Sequence, residues 1–132
     1  MNISSVLLVD DDANIRRITQ LVLTRMVPWE VKLADSGKEA LDILTEYQPD
    51  LILLDVMMPG MDGPTTLNII KQTYGNAAPP VIFMTAKAFK TEVEHYLNLG
   101  SAGVITKPFD PKGLPEEIQT IFKNWNKGKI VA

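Results

Sequence analysis

Five short apolar runs recur along the chain: Val6–Val9, Val31–Ala34, Leu51–Leu54, Val81–Met84 and Val104–Ile105. Each is followed by a segment of helical period, and this alternation constrains the fold more than any other feature. Four of the runs are continuous in Leu or β-branched residues, as expected of strands covered on both faces in a parallel sheet. The second, Glu30-Val31-Lys32-Leu33-Ala34, alternates instead and is the edge-strand candidate. Between the runs, Ile15, Ile18, Leu21, Val22 and Met26 mark one face of a helix that Asp12 or Asn14 can cap. Ser36 followed by Glu39 has the capping-box spacing and opens a second helix reaching Tyr47. Pro64 suits the first turn of a third, which should end near Gly75. Thr91 to Leu99 gives a fourth, stopped by Gly100. Ile118, Ile121, Phe122 and Trp125 stripe a fifth, regular from about Pro115, because a proline in a second turn would cost a backbone hydrogen bond. A βα unit repeated five times predicts an α/β domain, a doubly wound three-layer sandwich around a parallel sheet.

Composition narrows what such a domain can do. The 132 residues contain no cysteine, which excludes a disulfide scaffold, a Cys-ligated zinc and a thiol nucleophile. One histidine, His95, cannot build a multi-His metal site, and its place among Glu92, Glu94 and Tyr96 marks it as a surface residue. Trp29 and Trp125 are expected to pack. The formal charge of −3 offers no footprint for nucleic acid. No apolar stretch approaches the ~20 residues needed to span a bilayer, and the N-terminus lacks the basic opening of a signal peptide. A cytoplasmic location is therefore expected. The domain is read as residues 1–126, with 127–132 a basic, flexible tail.

In a doubly wound sheet, ligands bind beyond the carboxyl ends of the strands. The first strand ends in Asp10-Asp11-Asp12, the third in Asp55, the fourth in Thr85 and the fifth in Thr106-Lys107-Pro108. Carboxylates converging at one edge repel unless a cation joins them. With oxygen ligands alone, a hard cation fits, Mg2+ first. A lysine beside them suits a phosphate oxygen. These parts describe a phosphoryl-transfer site, in which a carboxylate can itself become an aspartyl phosphate. Asp55 is the leading candidate, because its strand is the most apolar and should be central. Val56 to Gly63, with one proline and two glycines, forms a constrained loop over it. Taken singly, the acids at strand ends also read as helix caps and Asp62-Gly63 as turn chemistry.

In combination, Val9-Asp10-Asp11, Leu54-Asp55, Met58-Pro59, Met61-Asp62-Gly63, Met84-Thr85-Ala86 and Lys107-Pro108-Phe109 closely resemble the receiver domains of bacterial two-component response regulators, including the single-domain chemotaxis type. The similarity runs from about Ser5 to Trp125. It implies a flavodoxin-like sheet in the order 2-1-3-4-5 with five helices. It also implies that Asp55 accepts a phosphoryl group from a sensor histidine kinase or phosphotransfer protein, and that the domain is a signalling switch, not an enzyme acting on other substrates. Asp11 would bind Mg2+ directly and Asp10 through water, with Asp55 and the backbone carbonyl of Met57 completing the protein ligands; Mn2+ or Ca2+ could substitute. Asp12 lies one past the acidic pair and is better read as a cap. Lys107 would contact the phosphoryl group, Thr85 would move towards it, and the bond before Pro108 is one that is usually cis in the family. Met57 and Lys87 stand where the family tunes dephosphorylation, and neither is an obvious water-positioning group, so hydrolysis that is not especially fast is expected.

One position departs from the pattern. Three residues before the lysine, where the family commonly has Tyr or Phe, this chain has Val104, so an aromatic rotamer switch is replaced by looser coupling or by movement of the loop after Thr85 and the fourth helix. The resemblance further implies an output partner, of unknown identity, at the face formed by helix 4, strand 5 and helix 5, and a monomer or a weak dimer through that face. No membrane or direct DNA contact is expected. A stand-alone switch is expected, with a receiver cut from a longer regulator as the alternative. Rival classes fit less well. A haloacid-dehalogenase-type phosphatase needs a second Asp where Met57 stands, and a flavodoxin-like binding protein needs a phosphate loop where the three acids would repel the ligand. A docking-only pseudo-receiver would not need the full acceptor set.

Overall fold

The computed structural model describes residues 2–130, with the backbone only at 129 and 130. Five strands, β1 (Ser5–Val9), β2 (Glu30–Ala34), β3 (Leu51–Asp55), β4 (Val81–Thr85) and β5 (Gly103–Thr106), form one parallel sheet in the order β2-β1-β3-β4-β5. The helices between and after them are α1 (Ala13–Arg25), α2 (Gly37–Leu44), α3 (Gly63–Tyr74), α4 (Lys90–Asn98) and α5 (Leu114–Ile130). The expected order and edge strand are both present, and β3 is central. β3 and β4 are buried at every position, while β2 alternates. That difference is what apolar runs covered on two faces and an amphipathic edge produce.

Two apolar clusters lie on opposite sides of the sheet. One joins Val6, Leu8, Leu51, Leu53, Ile82 and Met84 to Leu23 of α1 and Ile118 and Phe122 of α5, with Trp29 packed among them. The other joins Leu7, Val9, Ile52, Leu54 and Phe83 to Ala40 and Leu44 of α2 and Leu67 and Ile70 of α3. The helix starts follow local chemistry. Asp12 caps α1, its carboxylate accepting from the backbone N–H groups of Asn14 and Ile15, so the cap is Asp12 and not Asn14. Ser36 accepts from the N–H of Glu39, but the Glu39 carboxylate reaches the N–H of Asp35, one residue before the usual capping-box partner. Asp62 caps α3.

Two sequence expectations are corrected. The buried residues of α1 are Thr19 and Leu23, whereas Ile18, Leu21 and Met26 are exposed. Thr19 can face the core because its hydroxyl donates to the carbonyl of Ile15 at 2.7 Å, leaving only its methyl to pack. At the other end of the chain, α5 runs on through Lys127 to Ile130, past the point where a tail was expected. No proline interrupts that stretch, and lysine sustains a helix. Val131 and Ala132 lie outside the described residues.

α4 is held differently from the other helices. It buries none of its residues, and Phe89 at its N-cap makes no side-chain capping bond. Its inward contact is Tyr96, whose ring centroid lies 5.2 Å from that of Phe83 in β4. His95 is exposed beside it, as expected.

The α1 correction has a direct test in urea unfolding. Leu23 is 0% and Leu21 43% exposed. Leu23→Ala should cost about 2–5 kcal/mol, and Leu21→Ala less than about 1 kcal/mol. Equal losses would return the buried face to the other stripe.

Candidate functional site

The strand register sets the polar ends side by side. Val9 pairs with Ala34 and Leu54, Asp55 with Met84, and Thr85 with Thr106. Residues that step off these strands therefore emerge at one edge of the sheet. Asp10 is fully buried there. Its Oδ1 accepts from the backbone N–H of Asp12 at 2.9 Å, and its Oδ2 accepts from Lys107 Nζ at 2.7 Å. The same ammonium lies 3.2 Å from Asp55 Oδ1, so Lys107 bridges two carboxylates at the ends of the adjacent strands β1 and β3. Asp11 is exposed at the mouth, yet one carboxylate oxygen from each of Asp10, Asp11 and Asp55 lies within 4.8 Å of the others. The backbone N–H of Lys107 donates to the carbonyl of Thr85 at 2.8 Å, and the Lys107-Pro108 bond is cis.

Charge at this edge is set by burial and by Lys107. Burial raises the pKa of Asp55, the Lys107 charge lowers it, and Asp10 raises it again; the result is pushed up from 3.8 to about 6. Burial works against the charged form of Lys107, but its hydrogen bond to Asp10 and the charges of Asp10 and Asp55 outweigh this, and its pKa is raised. Three carboxylates with no sulfur or imidazole among them suit a hard divalent cation. Asp10, Asp11 and Asp55 thus fit the metal expected from the sequence.

Other expected residues lie around this centre. The Thr85 side chain is buried, and its Oγ1 accepts from the backbone N–H of Lys87 at 3.1 Å. Met57 and Lys87 are exposed beyond the ends of β3 and β4. Val104 is half-buried on β5, paired with Phe83, and lines a cavity of about 610 Å3 between α4 and α5 with Val93, Leu97 and Ile121. It stands apart from the acidic edge. Gly63 closes the loop that follows Asp55, its N–H donating to the carbonyl of Val56 at 2.9 Å.

One residue at the site was not found from the sequence. Arg16 of α1 folds back and donates from Nη1 to the carbonyl of Asp10 at 2.7 Å. A basic residue near the positive end of a helix runs against the helix dipole, and this was the available signal.

Two outcomes follow from this geometry. A Cβ at Gly63 would lie 2.6 Å from the Asp55 carbonyl oxygen and 2.9 Å from Val56 Cα, backbone atoms with nowhere to go. Gly63→Ala should cost about 1–3 kcal/mol in urea unfolding, whereas Gly128→Ala, which meets nothing within 4 Å, should not destabilise the chain. The second concerns pH. Between pH 3.8 and about 6 the folded state keeps a proton on Asp55 that the unfolded state releases, so stability falls as pH rises through this window. In EDTA at pH 7, Asp55→Asn should therefore be more stable than the parent by about 1–3 kcal/mol. The gap should close as pH falls towards 4, and a gap that widens instead would contradict the raised pKa.

The response regulator receiver domain model matches residues 6–119. The probable transcriptional regulator ycf27 of Cyanidium caldarium is 38% identical over 118 residues, 89% of this chain and 46% of its own. The DNA-binding response regulator MtrA of Mycolicibacterium paratuberculosis is 34% identical over 114 residues, 86% of this chain and 49% of its own. The chain thus spans about half the length of the curated relatives it matches. Among solved structures, the chemotaxis response regulator CheY4 of Vibrio cholerae superposes with a TM-score of 0.83 at 28% identity, covering 91% of this chain and 99% of that one. A putative response regulator from Chloroflexus aurantiacus gives 0.82 at 30% identity, covering 92% and 99%. With the family model spanning most of the chain and the fold in agreement, the protein belongs to the response regulator receiver domains.

Proposed function

We propose that this receiver takes a phosphoryl group on Asp55 from a phosphohistidine of a sensor kinase or phosphotransfer protein. Receiver domains act as phosphoacceptor switches in phosphorelay signalling, meeting histidine kinases on one side and output partners on the other. The observation that carries the assignment to Asp55 is the Lys107 ammonium set between Asp10 and Asp55 at a buried sheet edge. An Asp55 carboxylate oxygen attacks phosphorus, the P–N bond to the donor imidazole breaks, and that nitrogen keeps the electron pair and takes up a proton. Lys107 is placed to leave Asp10 for a phosphoryl oxygen, holding the new anion by charge. Asp10, Asp11 and Asp55, with the Met57 backbone carbonyl, would hold Mg2+, which supplies neutralisation of charge on the phosphoryl oxygens.

The readout is assigned to Thr85 and to the elements beside it. A phosphoryl oxygen near Thr85 gives its hydroxyl a new acceptor, and moving the side chain releases the N–H of Lys87. The loop leading to α4 then shifts, and an output partner that distinguishes the two states reads the face of α4, β5 and α5. Val104 is a passive member of that face, too small to swing as a ring would. The same face would carry any weak dimer. The reading concerns the receiver alone and holds equally if it is joined to further chain of the kind its relatives carry.

Mass spectrometry after incubation with acetyl phosphate and Mg2+ tests the acceptor. An adduct of about 80 Da should appear, depend on Mg2+ and vanish in Asp55→Asn. A parent chain that stays unmodified would overturn the assignment.

A further inference from the structure

Arg16 has a place in the site that the acceptor chemistry does not use. It lies in the first turns of α1, where the helix dipole favours acidic residues and where α1 has none. Arg17 beside it is exposed, but Arg16 is half-buried and spends its Nη1 on the carbonyl of Asp10. That carbonyl belongs to the Asp10–Asp11 peptide. Because a peptide is planar, fixing its oxygen fixes the plane from which Asp11 departs.

The rest of Asp10 is already committed. Its N–H donates to the carbonyl of Ala34 at 3.1 Å, and its carboxylate oxygens take the N–H of Asp12 and the ammonium of Lys107. Arg16 completes the set. Without it a buried carbonyl next to the acidic pair would lack its partner, and the peptide would gain by turning towards water. Asp11, exposed and at the mouth, would turn with it.

We propose that Arg16 is a positioning residue for the acidic pair, needed for Asp10 and Asp11 to present their carboxylates together to a divalent cation. The inference rests on the acceptor reading above and adds a residue to it. Charge alone predicts the opposite behaviour: a guanidinium near a cation site repels the cation, so its removal would tighten metal binding. The sign of the effect therefore separates positioning from simple electrostatics.

The test is Mn2+ titration of the full chain, with free Mn2+ followed by electron paramagnetic resonance and thermal unfolding recorded in EDTA. Arg16→Met should bind Mn2+ about 10-fold more weakly, the loss expected when a group orienting metal ligands is removed. Arg17→Met removes the same charge from the neighbouring exposed position and should bind no more weakly than the parent. Arg16→Met that binds as the parent does, or more tightly, overturns the proposal, even if its unfolding temperature falls. Should that variant not fold, Arg16→Gln, whose side chain is too short to reach the carbonyl, is read by the same two outcomes. A parent chain that binds no Mn2+ overturns the acceptor reading and this inference together; parent binding with Arg16→Met unchanged overturns this inference alone.

Discussion

Everything at the carboxyl edge of the sheet depends on one ammonium group. Asp10 is fully buried and Asp55 nearly so, and two carboxylates placed this close would otherwise force one to keep its proton. Lys107 lies within ion-pair distance of both. Its reach is set by β5, whose register with β4 puts Thr85 opposite Thr106 and Lys107 one step beyond. The apolar strands hold that register, since a slip of one residue would exchange the faces of a fully buried run. The Asp55 pKa remains raised even with Lys107 in place. Burial is the main cause, with the Asp10 charge adding to it, and a cation beside these carboxylates would favour their ionised forms.

Much of this was legible in the residues because the strands are short, apolar and end abruptly in polar groups. The polar endings at Asp10, Asp55, Thr85 and Lys107 could be assigned to one edge as soon as the sheet was taken as parallel. The strand order was a different matter, since periodicity describes each element and says nothing about its neighbours; it came with the family resemblance. The face of α1 was misread because Thr19 looks polar in a sequence, while in the fold its hydroxyl is satisfied by its own helix. The reach of Glu39 to Asp35 was illegible for a related reason, and that of Arg16 to Asp10 was signalled only by a basic residue in the first turns of α1. Both depend on where a long side chain folds back, which residue spacing does not encode.

The fold also divides the molecule into two kinds of material. Asp55 sits on a strand buried at every position, braced on both sides by other strands and covered by packed helices. α4 lies at the other extreme, with no buried residue, no side-chain cap and a single ring contact inward through Tyr96. A charge added at the stiff end cannot be absorbed by the strands themselves, because a close-packed interior transmits displacement instead of taking it up. It is absorbed where the structure yields most cheaply. An element with few buried contacts takes the least work to move, and by that measure α4 is the member of the proposed output face best suited to yield.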